Sequence, residues 1–175
     1  MQAVNPSSPV VPSHASSETL AIIIPCFNEA EALPQLAQRL PEVVDKLANR
    51  YAKVDVFFVD DGSTDDTLAE LRRRFASDPR FHVLVHEKNR GLGAALRTGF
   101  AASHSDVVVT TDADGTYEFG EILGMTALLS SDVDIVTASP YHPSGRVANV
   151  PSWRLLLSRT LSFLYRRAFR QKLYT

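Results

Sequence analysis

The chain has 175 residues, 45% of them hydrophobic, enough for one globular domain with a sizeable core. Its single cysteine, Cys26, excludes an internal disulfide and points to the cytosol, and no stretch approaches the ~20 apolar residues of a membrane span. The net charge of −2 is uneven: residues 151–175 carry six of the 18 basic residues and no acidic one, which suits an anionic partner at that end, while the acidic remainder disfavours nucleic acid.

In chain order, residues 1–17 hold three prolines and five serines with no apolar pattern. That predicts a disordered leader, without the basic start and apolar centre of a signal peptide. Residues 18–150 read as the main domain, beginning with a buried strand at Leu20–Ile24 that Pro25 stops. A helix is expected from Glu31 through Tyr51, broken or kinked near Pro34 and Pro41. Val54–Val59 is the second strand. It runs into the turn Asp60-Asp61-Gly62-Ser63-Thr64, where Ser63 or Thr64 can cap the next helix and Asp65 and Asp66 suit its positive end.

Leu68, Leu71 and Phe75 give that helix a core-facing stripe. Phe81–Val85 is a third strand, and Asn89 to Gly93 lead into a helix with Leu92, Leu96 and Phe100 turned inward. Asp106–Thr111 and Asp134–Ala138 complete a set of five strands. Residues 151–175 form a basic amphipathic helix. Trp153, Leu157, Leu161, Leu164 and Ala168 lie on one side and Arg159, Arg166 and Arg170 on another, which fits either an anionic membrane interface or a helix closing the core. The alternation of strand and helix predicts an α/β fold, a mostly parallel sheet with helices on both faces. Right-handed crossovers then gather every strand-to-helix loop along one sheet edge, where ligands of such sheets bind.

Asp112-Ala113-Asp114 follows the fourth strand directly. Carboxylates at i and i+2 repel unless a cation lies between them, and Mg²⁺ or Mn²⁺ takes such oxygen ligands while keeping positions open for phosphate. The alternative is a solvated acidic turn. Cys26 reads as a buried strand-end thiol rather than a ligand or nucleophile. No G-x-G-x-x-G follows the first strand and no G-x-x-x-x-G-K-[ST] occurs, which argues against a dinucleotide-binding dehydrogenase and a P-loop NTPase.

Four motifs occur in order: Pro25-Cys26-Phe27-Asn28-Glu29-Ala30, Asp60-Asp61-Gly62-Ser63-Thr64-Asp65, Asn89-Arg90-Gly91-Leu92-Gly93-Ala94 and Asp112-Ala113-Asp114-Gly115. From about Leu20 to Thr175 the sequence resembles the glycosyltransferase family 2 domain, and within it the dolichyl- and polyprenyl-phosphate mannose synthase-like branch. The resemblance implies a Rossmann-like GT-A fold. It places Pro25, Phe27, Asn28 and Glu29 in a nucleotide pocket, with Asp60 and Asp61 on base or ribose. Asn89 and Gly91 would close that pocket, and Ala113 would line it. Asp112 and Asp114 would hold Mg²⁺ or Mn²⁺ against the diphosphate of a GDP- or UDP-hexose, and Arg146 would join them in catalysis at the acceptor side. For each of these residues a cap, turn or solvated-loop role stands as the alternative.

The implied reaction is an inverting, metal-dependent transfer of mannose or glucose to a polyprenyl or dolichyl phosphate, at the cytoplasmic face of a membrane touched peripherally by the C-terminal helix. A lipid monophosphate is already largely ionised at neutral pH, so it needs no general base. Alternatives are a glycan hydroxyl acceptor, or a nucleotide-sugar-binding domain with little or no turnover. Two departures stand out: Thr116 where related synthases often carry glutamine, and Pro140 where many carry arginine, which moves phosphate binding to Arg146 or Arg154. The end at Thr175 predicts a truncated acceptor side, with donor binding retained better than transfer.

Overall fold

The computed structural model describes residues 16–114 and 119–138. The chain divides into two compact units, Met1–Ala127 and Leu128–Thr175. In the first, the order is β1 (Ser16–Cys26), α1 (Leu33–Ala48), β2 (Tyr51–Asp60), α2 (Thr67–Phe75), β3 (Phe81–Val85), α3 (Leu92–Ala102), β4 (Val107–Thr110) and α4 (Glu121–Ala127). All pairings are parallel and the strand order is β3-β2-β1-β4. The α/β class, the parallel sheet and its cover on both faces are as the sequence led us to expect.

The two faces follow from the period-2 alternation of the strands. Leu20, Ile22 and Ile24 of β1, with Val56 and Phe58 of β2, pack against Leu36, Leu40 and Val44 of α1 and Leu71 and Phe75 of α2. Ala21 and Ile23 alternate to the opposite face with Phe57 and Val59, where Ala95 of α3 covers them. Phe58, Phe75 and Phe81 form an aromatic cluster, with ring centroids 4.5 to 6.2 Å apart.

Several elements differ from expectation. β1 already includes Ser16 and Ser17, so the leader drawn at 1–17 is too long; residues 1–15 lie outside the described ones. β1 also runs through Pro25. Its odd residues face β4, as Ile23 O accepting from Thr111 N–H shows, while Cys26 O accepts from Asp61 N–H on the β2 side. Pairing with β4 ends at Thr110, so the N–H that proline lacks has no ladder to join. The first helix is shorter than drawn, because Tyr51 begins β2 instead. It is unbroken across Pro41, and Pro34 sits in its first turn, where a missing N–H costs nothing.

The inward stripe of α3 is Ala94, Ala95 and Gly99, joined by half-buried Leu96, which packs on the sheet as expected; Leu92 is 61% and Phe100 49% exposed. A Cβ at Gly99 would collide with Ile23 Cγ2, so at that point the helix lies too close to the sheet for large side chains. Asp134–Ala138 is not a strand, and Ile135 is 79% exposed. A β-branched run gains from the extended form only where a neighbouring strand supplies a ladder and burial; here 128–138 carry one isolated bridge, Ser130–Val133. The boundary drawn at 150/151, Thr116, Pro140, Arg146, Arg154 and the C-terminal helix lie outside the described residues.

Candidate functional site

Register decides which loops meet. Cys26 pairs with Asp60, Asp60 with Val85, and Ile23 with Thr110, so the segments after all four strands leave the same sheet edge. Strand order reverses between β1 and β4, and open α/β sheets bind ligands in the crevice at that point.

The post-β1 loop is tied to the post-β2 loop by side chains whose roles the sequence does not announce. Asn28 takes a left-handed φ of 56°, which asparagine tolerates better than most residues. Its N–H donates to Ser63 Oγ at 3.0 Å, and its Oδ1 accepts from Thr64 N–H at 2.8 Å. Glu29 N–H donates to Thr67 Oγ1 at 2.8 Å, and Ala30 N–H to Asp65 Oδ2 at 3.2 Å. Ser63 and Thr64 therefore bind Asn28 rather than cap α2, whose N-cap position is Asp66, without a side-chain cap bond. Asp65 is more than a helix-start charge: it also accepts from Thr67 N–H and Oγ1–H.

Asp60 and Asp61 are both buried and do different work. Asp60 Oδ1 accepts from Ser63 N–H at 3.2 Å and holds the turn. Asp61 accepts three N–H groups: Arg90 N on Oδ1 at 3.0 Å, Gly91 N on Oδ2 at 2.7 Å, and His86 Nδ1 on Oδ1 at 2.6 Å. Burial pushes the Asp61 carboxyl up, but the hydrogen bonds from His86, Arg90 and Gly91 outweigh it and hold the group below its usual range. The folded state thus releases this proton more readily than the unfolded chain. The resulting stability is fully present above the unfolded value of about 3.9 and is lost as pH falls through the lower folded value. Asp61→Asn is expected to cost about 1–2 kcal/mol at pH 7. Urea melts of both proteins at pH 7, 4 and 3 should show that gap closing with acid; a gap independent of pH would contradict the assignment.

A cleft of about 320 Å³ opens between these loops and the end of β4. It brings together Pro25, Phe27, Glu29, Asp61, Asn89, Gly91, Asp112, Ala113 and Asp114. Asn28 and Asp60, also expected there, do not line it; Asn28 bonds to Ser63 and Thr64 and Asp60 to Ser63, which holds the loops. Leu92, Cys26 and Ala95 line it too. Cys26 is buried, and its Sγ–H points to Ile24 O at 3.5 Å; burial, then Glu29 and Asp60, raises its thiol far above the usual range, so no thiolate is available.

The acidic wall is electrostatically unsettled. Burial and then Asp114 raise the carboxyl of Asp112, and Glu29 is raised by burial, then by Asp114, Asp112 and Asp65. Among the described residues no group of three or more His, Cys, Asp or Glu could hold a metal. Two carboxylates suffice for Mg²⁺ or Mn²⁺ when phosphate and water complete the shell, so the hard-oxygen pair Asp112 and Asp114 fits such an ion. The pattern missed His86, Thr67 and Thr98. They are buried or half-buried polar side chains behind the motifs, and in the sequence they mark nothing.

Three comparisons bear on these features. A family model for glycosyl transferase family 2 matches residues 21–174. The polyprenol monophosphomannose synthase of Mycolicibacterium smegmatis is 35% identical over 143 residues, covering 79% of this chain and 51% of its own length. The undecaprenyl-phosphate 4-deoxy-4-formamido-L-arabinose transferase of Pectobacterium atrosepticum is 31% identical over 153 residues, covering 86% and 44%. A structure of the Pyrobaculum calidifontis mannosyltransferase with GDP-Man and Mn²⁺ aligns over 60% of this chain and 31% of its own, at 26% identity and a TM-score of 0.46. The chain thus spans about half the length of the curated relatives it matches.

Proposed function

The chain belongs to glycosyl transferase family 2, and from that premise we propose that it binds a nucleotide sugar in the cleft and serves transfer of the sugar to a polyprenyl phosphate. The observation that carries this is the convergence of Pro25, Glu29, Asp61, Asn89 and Asp112–Asp114 on one cleft at the sheet's switch point. Two relatives that differ in the sugar they transfer share a polyprenyl-type acceptor in their names, which supports the acceptor class and leaves the sugar open between mannose, glucose and others.

Within this reading the post-β1 and post-β2 loops seat base and ribose. Asp61, kept ionised, accepts a ligand N–H or O–H, and the backbone of 89–91 closes one side. Asp112 and Asp114 hold Mg²⁺ or Mn²⁺. Bound there, the ion supplies countercharge for a departing nucleoside diphosphate. Attack comes from the opposite face of the sugar, inverting the anomeric centre. An ionised lipid phosphate needs only positive charge to seat it, the role assigned to Arg146. Peripheral contact with a cytoplasmic membrane face through 151–175 rests on sequence pattern alone. No helix among the described residues is long and apolar enough to cross a membrane.

A thermal-shift screen of GDP- and UDP-sugars, with and without Mn²⁺, tests the reading. The matching donor with metal should stabilise the chain by about 2.7 kcal/mol at a hundredfold excess over its Kd. No stabilisation by any nucleotide sugar in either condition would sink it.

A further inference from the structure

His86 lies behind the cleft wall, buried, with both ring nitrogens engaged: Nδ1 to Asp61 Oδ1 at 2.6 Å and Nε2 to Thr98 Oγ1 at 2.8 Å. We propose that His86, oriented by Thr98 of α3, is a positioning residue that aims the Asp61 carboxylate at the base-ribose end of the bound nucleotide. The inference rests on the nucleotide-site reading above and extends it to residues that never touch the ligand.

Hydrogen-bond capacity carries the argument. A carboxylate only accepts, so His86 Nδ1 must bear the proton. In the neutral ring Nε2 is then an acceptor, and the Thr98 hydroxyl donates to it, which fixes tautomer and ring plane together. Of the roughly four acceptor positions on Asp61, His86, Arg90 N–H and Gly91 N–H occupy three. One remains for a ligand donor, on a residue that lines the cleft. The same carboxylate holds the 89–91 backbone, so His86 sets the aim of the acceptor and the seat of the loop at once. Its own backbone is fixed by His86 N–H donating to Asp60 O at 2.9 Å, so the ring cannot drift from the strand edge.

Calorimetric titration of the 175-residue chain with UDP, GDP and pyrophosphate, each with Mn²⁺, tests this. Pyrophosphate engages the metal end and has neither base nor ribose. His86→Leu should weaken the nucleoside diphosphate that the parent binds by about tenfold, since it removes a hydrogen bond to a charged group. Thr98→Val should weaken it about threefold. His86→Asn, whose amide can donate from near the Nδ1 position, should stay within about threefold of the parent. Pyrophosphate affinity should hold in all three. Parent-like UDP or GDP binding in both His86→Leu and Thr98→Val, or pyrophosphate affinity falling in step with theirs, overturns the proposal. If His86→Leu does not fold, Thr98→Val decides alone. A parent that binds pyrophosphate but neither nucleotide refutes the nucleotide-site reading itself, and this inference with it.

Discussion

Replacing Asp112 or Asp114 by asparagine should weaken Mn²⁺-supported donor binding by at least about a hundredfold, and Asp112→Asn should also make the metal-free chain slightly more stable. The two effects have one source. Asp112 is raised by burial and then by Asp114, so the folded state holds that proton more tightly than the unfolded chain does. A raised group contributes stability that is fully present below its unfolded value of about 3.9 and is lost as pH rises through the folded value. At pH 7 the Asp112 carboxylate therefore opposes folding. Asparagine removes the charge with little change of shape. Asp112 is only partly withdrawn from solvent, so water screens the repulsion and the gain stays below about 1 kcal/mol. The loss of binding is larger, since an ion held by two carboxylates loses half its charged protein ligands. Melting curves without metal, paired with GDP- and UDP-sugar titrations with Mn²⁺, read both effects. Variants that melt lower and keep metal-dependent binding would show a structural turn and no cation site.

The site was legible in the sequence wherever a strand end met a polar turn. Pro25–Glu29, Asp60–Ser63 and Asp112–Asp114 needed no more than the strand before each and the rule that parallel strands end on one edge, whereas Asn89 and Gly91 came from the family resemblance. The pair Asp60-Asp61 shows the limit. Adjacent carboxylates look alike in sequence, yet Asp60 folds back onto Ser63 N–H while Asp61 reaches Arg90 and Gly91. Asn28 carries the same lesson, because its backbone N–H reaches Ser63 and its side-chain Oδ1 reaches Thr64 across 35 and 36 residues of sequence. In α3 Leu96 packs on the sheet as expected while Leu92 and Phe100 face solvent: the closest contacts fall to Ala94, Ala95 and Gly99 for size. Hydrophobic periodicity registers apolarity and has no term for how near a helix axis lies to its sheet.

Gly62→Ala should be the most damaging single methyl in the loops around the cleft, costing about 4 kcal/mol from strain and collision together, whereas Gly91→Ala should cost about 2 kcal/mol from strain alone. Both glycines have positive φ, +70° and +85°, and Gly91 adds a ψ of 159°, a region essentially reserved to glycine, so both substitutions pay backbone strain. Space separates them. A Cβ on Gly62 would lie 2.6 Å from Asn89 N and from Lys88 Cα, with Lys88 C closer still, while nothing lies within 4 Å of a Cβ on Gly91. The obstruction at Gly62 is backbone and cannot rotate away. To admit the methyl, residues 88–89 must retreat, and they lead directly into the N–H groups that Asp61 holds. Donor binding should then fall with stability in Gly62→Ala, while Gly91→Ala should lose stability by conformational strain alone and keep most of its affinity. Urea midpoints at unchanged m-value separate the stabilities, and nucleotide titrations of both variants test whether the two loops move as one. Equal losses in the two variants would mean that backbone strain alone sets the cost and that the packing of Gly62 against 88–89 carries no weight.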